Sequence, residues 1–305
     1  MAFKSSQPLL QQPLCVACIQ MASGPDKQEN LRRARENVLE AASKGARLVV
    51  LPECFNSPYS TALFPLYAEP LPPSLSHGNT TNRSHSSSPT FSALANIARN
   101  ANVYLVGGTL PERDEQTGKI YNTCPIYSPT GTLLATHRKL HLFDIHVPDQ
   151  MAFRESDTLS AGNAVTVVHL PGYGKLGIGI CYDMRFPEPA AIAARAGAFA
   201  LVYPSAFNTT TGPLHWELLG RSCALDNQVY AVSCSQARGT GGGYPAWGFS
   251  MVADPMGRVV VQARESDGIV YADLDDGVIW ESREAIPVSG QRRFDVYLDV
   301  SWGVQ

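Results

Sequence analysis

Two stretches of this chain repeat one order of elements: an apolar strand-like run, a helix with an apolar stripe, and a second apolar run that stops at proline followed by a polar residue. The first reads "CVACIQM", "KQENLRRARENVLEAASKGA", "RLVVLPE", and the second reads "KLGIGICYD", "PEPAAIAARAGA", "FALVYPS". Ala34, Val38, Ala41 and Ala42 lie at helical spacing in the first, and both helices close on a Gly-Ala pair, a C-terminal stop signal. One layered module used twice is therefore the expected plan. The runs "NVYLVGGTLPE", "IYNTCPIYSP" and "GTLLATHRKL" between the units, and "WGFSMVADPMGRVVVQA" after them, have the close turn spacing of hairpin-connected strands. Two mixed sheets with helices on their outer faces accommodate all of these elements, an α/β fold.

At 305 residues, 44% apolar and 17% charged, the chain can bury the core of one large α/β domain or two modest ones. The folded part, 14–305, is expected to follow a disordered arm at 1–13, "MAFKSSQPLLQQP", which lacks the apolar core of a leader and the arginines of a transit peptide. Residues 72–90, "PPSLSHGNTTNRSHSSSPT", hold almost no large apolar side chain and are expected to form a mobile insertion. The sequons at Asn79 and Asn82 then have no secretory context and are taken as accidental.

A net charge of −3 offers no basic stripe for nucleic acid, and no apolar run approaches the roughly 18 residues of a membrane span. A small soluble substrate is the expected partner, in the cytoplasm, with a mitochondrial pool left open. Seven cysteines at irregular spacing argue for reduced thiols rather than a disulfide framework. Cys15 and Cys18 form a CxxC, but they sit in a strand-like run without a second metal-ligand pair, so core filling is expected.

In layered α/β folds, substrates bind beyond the carboxyl ends of strands. Glu53 closes "LVVLPE", Cys181 closes "GIGIC", and Lys139 follows "GTLLATHR". A thiol attacks as thiolate and is mostly protonated at neutral pH, so it needs a base or a cation beside it. Glu53 can take the thiol proton and return it to a leaving amine, and Lys139 can stabilise the oxyanion formed when sulfur attacks a carbonyl. The backbone N–H of Tyr182 is the simplest second oxyanion donor. Taken singly, each of these residues also has a structural reading: a solvated strand end, a surface charge, a small core thiol.

The blocks "LPECFNSPY", "HRKLHLFD", "GICYDMRFPE" and "YPSAFNTTTGPLHWELLGRSCALDNQVY" resemble those of the nitrilase superfamily of carbon-nitrogen hydrolases, over almost all of the chain from Cys15 to Val300. The resemblance implies a four-layer α-β-β-α sandwich, pairing to a homodimer through outer helices, and a Glu-Lys-Cys triad at Glu53, Lys139 and Cys181. It implies a further assisting glutamate at Glu155, in "AFRES". It requires no metal and no organic cofactor. Within the superfamily, "PECFNSPY", "KLHLFDIHVP", "YPSAFNTTTGP" and "QRRFDVY" are most similar to the omega-amidase branch, which hydrolyses the terminal amides of 2-oxoglutaramate and 2-oxosuccinamate. Such a substrate carries a carboxylate far from the scissile amide, and Arg185 can grip it with a two-pronged ion pair. The alternative for Arg185 is a structural ion pair with Asp183 or Glu188. By the same resemblance Tyr59, Phe207 and Thr211 line the pocket.

Other signals are weaker. His137 and His141 have the spacing of a helical metal pair but lie beyond a strand without the HExxH glutamate, and are expected to position neighbours. The run "GTGGGYP" is no phosphate cradle and is expected near the pocket rim or a dimer surface; Ser205 is in no GxSxG elbow; Cys54, next to Glu53, is expected to be a core thiol. The competing functions are an amidase for deaminated glutathione, a carbamoyl hydrolase, and a catalytically silent scaffold.

Overall fold

A computed structural model describes residues 7–72, 88–149, 151–239 and 243–302. The first half supplies strands β1 (Leu14–Gln20), β2 (Leu48–Val50), β3 (Tyr104–Val106), β4 (Leu110–Arg113), β5 (Ile120–Tyr127) and β6 (Leu133–Arg138), with helices α1 (Lys27–Ser43), α2 (Phe64–Tyr67) and α3 (Pro89–Ala101). A separate hairpin follows, β7 (Asp144–Val147) with β8 (Met151–Arg154). The second half supplies β9 (Thr166–Leu170), β10 (Gly174–Ile178), β11 (Ala198–Ser205), β12 (Tyr230–Ser235), β13 (Met251–Ala253), β14 (Val259–Gln262) and β15 (Gly268–Leu274), with α4 (Pro187–Arg195), α5 (Gly212–Asn227) and α6 (Asp276–Ala285).

One sheet has the order β15-β1-β2-β3-β5-β4, with β6 also paired to β5, and the other has the order β14-β13-β12-β11-β10-β9. At the centre of each is a parallel triplet, β1-β2-β3 and β10-β11-β12. The module seen in the sequence thus extends by one more helix and strand in each half. Parallel strands need a crossover helix, and those helices cover the sheets.

The period-2 alternation along the strands assigns the layers. Val16 and Cys18 of β1, with Leu48 and Val50 of β2, turn inward to a core shared with Ile178, Val202, Val232 and Cys234 of the other sheet. Ala17, Ile19 and Val49 turn outward to Leu31, Ala34, Val38 and Ala41 of α1 and Leu94, Ile97 and Ala98 of α3. Helices α4 and α5 cover the second sheet in the same way, α4 against β10 and β11 and α5 against β12 and β13. The result is the expected α-β-β-α sandwich. Each fully buried valine or leucine contributes about 1.5–3 kcal/mol, so the inter-sheet core is the largest single source of stability.

Local signals delimit the helices. Asp26 caps α1 by accepting from the N–H groups of Gln28 and Glu29. The Gly-Ala stops work through backbone geometry: Gly45 and Gly197 adopt φ of 97° and 92°, a region that favours glycine.

Two sequence expectations need correction. The amino-terminal arm is not disordered up to residue 13. Leu10 is buried, bridges to Gly174, and its N–H donates to Asp276 Oδ1 at 3.0 Å, while the Gln11 N–H donates to the Tyr173 carbonyl at 2.9 Å. An isolated apolar pair on a polar arm covers the open β9-β10 turn, which has backbone groups to satisfy. The insertion ends earlier than residue 90. Pro89 begins α3, and buried Thr90 donates its hydroxyl to Glu69 at 2.5 Å. The remainder of the insertion beyond residue 72, with the Asn79 and Asn82 sequons, lies outside the described residues. Cys15 and Cys18 fill core as expected, on opposite faces of β1: Cys15 packs toward the helices and Cys18 into the inter-sheet core.

Candidate active site

The carboxyl ends of strands from both sheets meet at one edge of the sandwich. Beyond β2, Glu53 is clasped by the second sheet: its N–H reaches the Ser205 carbonyl at 3.4 Å, and Gln236 Nε2 donates to the Glu53 carbonyl at 2.7 Å. Ser205 therefore serves here through its backbone, and its hydroxyl donates to the Tyr203 carbonyl at 3.1 Å. Lys139 follows β6 directly and is fixed by its own backbone, N–H to the Asn122 carbonyl at 2.8 Å and carbonyl to the Gly162 N–H at 2.8 Å.

Cys181 stands where β10 gives way to a tight turn, Cys181–Arg185, at φ 46°. A non-glycine residue in this region is strained by roughly 1–3 kcal/mol, which persists only where surrounding structure holds it. That structure is Asp183. Its buried carboxylate accepts from the Ile180 N–H at 2.9 Å, the His141 N–H at 2.9 Å and His141 Nδ1 at 2.8 Å, with His137 Nε2 at 3.3 Å. Burial opposes the charge of Asp183, but the bonds from His137 and His141 outweigh it and hold this carboxyl well below the usual range. The two histidines thus position the turn that carries Cys181. Gly179 lets the strand pass flat against Tyr203, whose ring would meet any added Cβ at 2.6 Å.

At the centre, Glu53, Lys139 and Glu155 are fully buried and Cys181 is 5% exposed. Lys139 Nζ lies 2.8 Å from Glu53 Oε1 and 3.0 Å from the Glu155 carboxylate. Glu155 also accepts from the Tyr59 hydroxyl at 2.6 Å and the Phe143 N–H at 2.7 Å. Glu53 Oε1 takes a second bond, from Asn122 Nδ2 at 2.8 Å, whereas Oε2 accepts none within the described protein. Cys181 is close enough to Glu53 for each to perturb the other's proton affinity, and Oε2 is the carboxylate oxygen left to accept a thiol proton.

The electrostatics suit that transfer. Burial pushes the Cys181 thiol well up, the Glu53 charge adds to this, and Lys139 pulls the other way. Burial likewise raises Glu53 against the pull of Lys139, making it a stronger base than an exposed carboxylate. For Lys139 burial disfavours the charge, but Glu155, Glu53 and Cys181 outweigh it and keep the ammonium charged. The Cys181 thiol therefore holds its proton in the resting site.

The other residues singled out in the sequence fall around this centre. Tyr59 packs its ring 4.4 Å from Tyr244 and 5.6 Å from Phe153. Tyr182 is the second residue of the Cys181 turn, where a backbone N–H has no acceptor within the turn. Phe207 is buried against Trp216 at 4.9 Å. Thr211 is set one step further out, its hydroxyl donating to Asn208 Oδ1 at 3.2 Å at the start of α5. Arg185 makes no ion pair with Asp183, Glu188 or any other carboxylate among the described residues. Its guanidinium lies 5.1 Å from the Phe207 ring and 5.6 Å from the Tyr182 ring. Cys54 is buried, as expected, although the cause is a turn at φ 50° and not strand alternation.

Sequence reasoning missed Asn122, Tyr244 and His215. Asn122 sits mid-strand in β5 and reaches Glu53 across 69 positions of sequence. Tyr244, from the "GTGGGYP" run, comes near enough to Cys181 and Glu53 that, after burial, their charges push its phenol well up.

The four-layer sandwich and a buried cysteine flanked by carboxylate and ammonium define a hydrolase of carbon-nitrogen bonds, and the chain belongs to the carbon-nitrogen hydrolase family, whose profile matches residues 15–284. Among relatives, omega-amidase NIT3 of Saccharomyces cerevisiae is 50% identical over 300 residues, 97% of this chain and 99% of that protein. Omega-amidase NIT2 of Xenopus tropicalis is 48% identical over 282 residues, 92% of this chain and 96% of that protein. The crystal structure of S. cerevisiae Nit3, a member of branch 10 of the nitrilase superfamily, superposes with a TM-score of 0.83 at 48% identity, covering 94% of this chain and 98% of that one.

Proposed function

We propose that this protein is an omega-amidase that hydrolyses the terminal amide of a 2-oxo dicarboxylic acid monoamide, 2-oxoglutaramate or 2-oxosuccinamate, to the 2-oxo diacid and ammonia. The observation that carries this reading is Arg185. A cation without a carboxylate partner, four residues after Cys181 and set between two aromatic rings, suits a small anion whose far end is a reactive amide.

In this mechanism Glu53 accepts the Cys181 proton as sulfur attacks the amide carbon. Lys139 and the Tyr182 N–H hold the oxyanion. The intermediate collapses, the carbon-nitrogen bond breaks, and ammonia leaves with the proton from Glu53. Water then attacks the thioester carbonyl, giving its proton to Glu53. Collapse of the second tetrahedral intermediate breaks the carbon-sulfur bond, and Glu53 returns the proton to sulfur. Glu155 touches no reacting atom in this scheme; it fixes Lys139 and balances its charge. Tyr59, Phe207 and Thr211 shape the pocket around the short chain between amide and carboxylate.

A homodimer paired through the outer helices belongs to the same reading, supported by Leu214 and Leu218 of α5, 68% and 65% exposed. So does a cytoplasmic setting, which suits seven free cysteines. No helix among the described residues is long and apolar enough to cross a membrane.

The test is release of 2-oxoglutarate, the diacid formed from either amide, by the purified protein, comparing kcat/KM for 2-oxoglutaramate and for deaminated glutathione. A preference of at least tenfold for 2-oxoglutaramate is expected, because the two amides share one acyl half and differ only in the leaving amine, and a dipeptide amine must be fitted beside the buried Cys181 where ammonia needs no space. The reverse preference would assign the chain to deaminated glutathione. Silence on both, with Cys181 intact, would overturn the amidase reading for these substrates.

A further inference from the structure

The one directional contact of the Arg185 guanidinium within the described protein is with a histidine. Nη1 lies 3.1 Å from His215 Nδ1. The aromatic rings of Phe207 and Tyr182 attract the cation but do not orient its N–H groups, because the attraction depends weakly on rotation of the guanidinium over the ring. Guanidinium nitrogens only donate, so Nδ1 must carry the lone pair, and His215 is the neutral tautomer with its proton on Nε2. Burial first, and the Arg185 charge second, both favour that neutral form.

His215 is itself firmly placed. It lies in the first turn of α5, where its N–H donates to the Thr211 carbonyl at 3.0 Å. The next residue, Trp216, is buried, donates from Nε1 to the Phe249 carbonyl at 2.6 Å, and packs on Phe207. The helix that carries His215 is thereby locked to the ring that flanks Arg185. With Nη1 held, the edge of the guanidinium formed by Nε and Nη2 is left to meet a ligand, and buried Nε has no partner in the described protein. That edge presents two parallel N–H groups, the geometry a carboxylate accepts with both oxygens.

We infer that His215 is a positioning residue: its neutral Nδ1 turns Arg185 so that the Nε and Nη2 edge faces the distal carboxylate of the substrate. This rests on the assignment of Arg185 as the carboxylate clamp, and it adds a determinant of specificity outside the Glu-Lys-Cys centre. The bond to His215 is made by a charged donor, so loss of the orienting acceptor should cost roughly tenfold or more in discrimination.

The experiment measures the ratio of kcat/KM for 2-oxoglutaramate to that for n-valeramide, an amide of equal chain length without charge, in the full-length protein. His215→Phe should lower the ratio roughly tenfold, with the loss carried mainly by KM for 2-oxoglutaramate. His215→Asn, whose side-chain oxygen replaces Nδ1 as acceptor, should restore it to within about threefold. Arg185→Ala is measured alongside. If Arg185→Ala collapses the ratio while His215→Phe keeps it, the clamp stands and the positioning role is wrong. If neither variant changes the ratio, the clamp itself fails and the inference falls with it. If His215→Phe collapses the ratio and His215→Asn, folded to the same thermal midpoint as the parent, does not restore it, His215 acts through packing and the inference is overturned.

Discussion

Replacing Lys139 with methionine keeps most of the buried volume and removes the charge, which isolates the electrostatic part of the centre. In the folded protein Lys139 Nζ sits 2.8 Å from Glu53 and 3.0 Å from Glu155, all three fully buried. At an effective dielectric near 20, a unit pair at that distance is worth about 6 kcal/mol before desolvation is counted. Desolvation cancels much of this, and removal of one partner from a buried pair typically costs about 3–5 kcal/mol, the expected destabilisation of the variant near neutral pH. The two carboxylates, bonded to the same nitrogen, would then face each other across no more than about 6 Å, a repulsion of about 3 kcal/mol that favours a proton on Glu53. The sign of the pH dependence follows. A carboxyl whose folded pKa lies above its unfolded value contributes stability fully present below the unfolded pKa and lost as pH rises through the folded one. Glu53 is already raised by burial in the parent protein. In Lys139→Met the deficit should therefore be smallest near pH 5 and grow toward pH 8. Urea unfolding at several pH values measures it directly, and ammonia release should fall at least about a thousandfold. A deficit below about 1 kcal/mol, or one that does not change with pH, would refute the claim that this ammonium neutralises two buried carboxylates.

Other outcomes follow from the same geometry. Cys181→Ala should abolish ammonia release while leaving thermal unfolding within a few degrees of the parent, since the change removes a single buried sulfur atom; full activity in this variant would exclude the proposed nucleophile. Under mild treatment with iodoacetamide, mass spectrometry should find Cys181 modified before the half-buried Cys15: burial and a carboxylate raise both thiols, but only Cys181 also has an ammonium, Lys139, to stabilise the thiolate; Cys15 reacting first would count against an activated Cys181. Asp183→Asn should destabilise the protein by about 2–4 kcal/mol at pH 7. Because the folded pKa of Asp183 is depressed, its contribution is present above the ordinary aspartate pKa near 4 and is lost as pH falls below it. The gap between parent and variant should thus close between about pH 4 and pH 2, and a gap that widens toward acid would contradict the role given to His137 and His141.

Sequence patterns alone determined the doubled module, the layer order and the three strand ends that bring Glu53, Lys139 and Cys181 forward. These depend on local regularities: period-2 and helical alternation, glycine stops, and proline at strand ends. Resemblance to a known family then added Glu155 and Arg185, which spacing could not connect to the others. Tertiary structure decided the rest. That Leu10 docks on the β9-β10 turn, that Asn122 reaches Glu53, and that His137 and His141 converge on Asp183 are contacts across 164, 69, 46 and 42 positions. The partner of Arg185 was weighed in the sequence as a nearby acid, Asp183 or Glu188; in the fold it is His215, 30 residues away, because the turn after Cys181 aims the guanidinium toward α5 and commits Asp183 to the two histidines. The physical reason is general. A hydrophobic pattern records which face of an element is buried, whereas the partner of a polar side chain depends on which elements are brought together, and only the packed sheets and helices specify that.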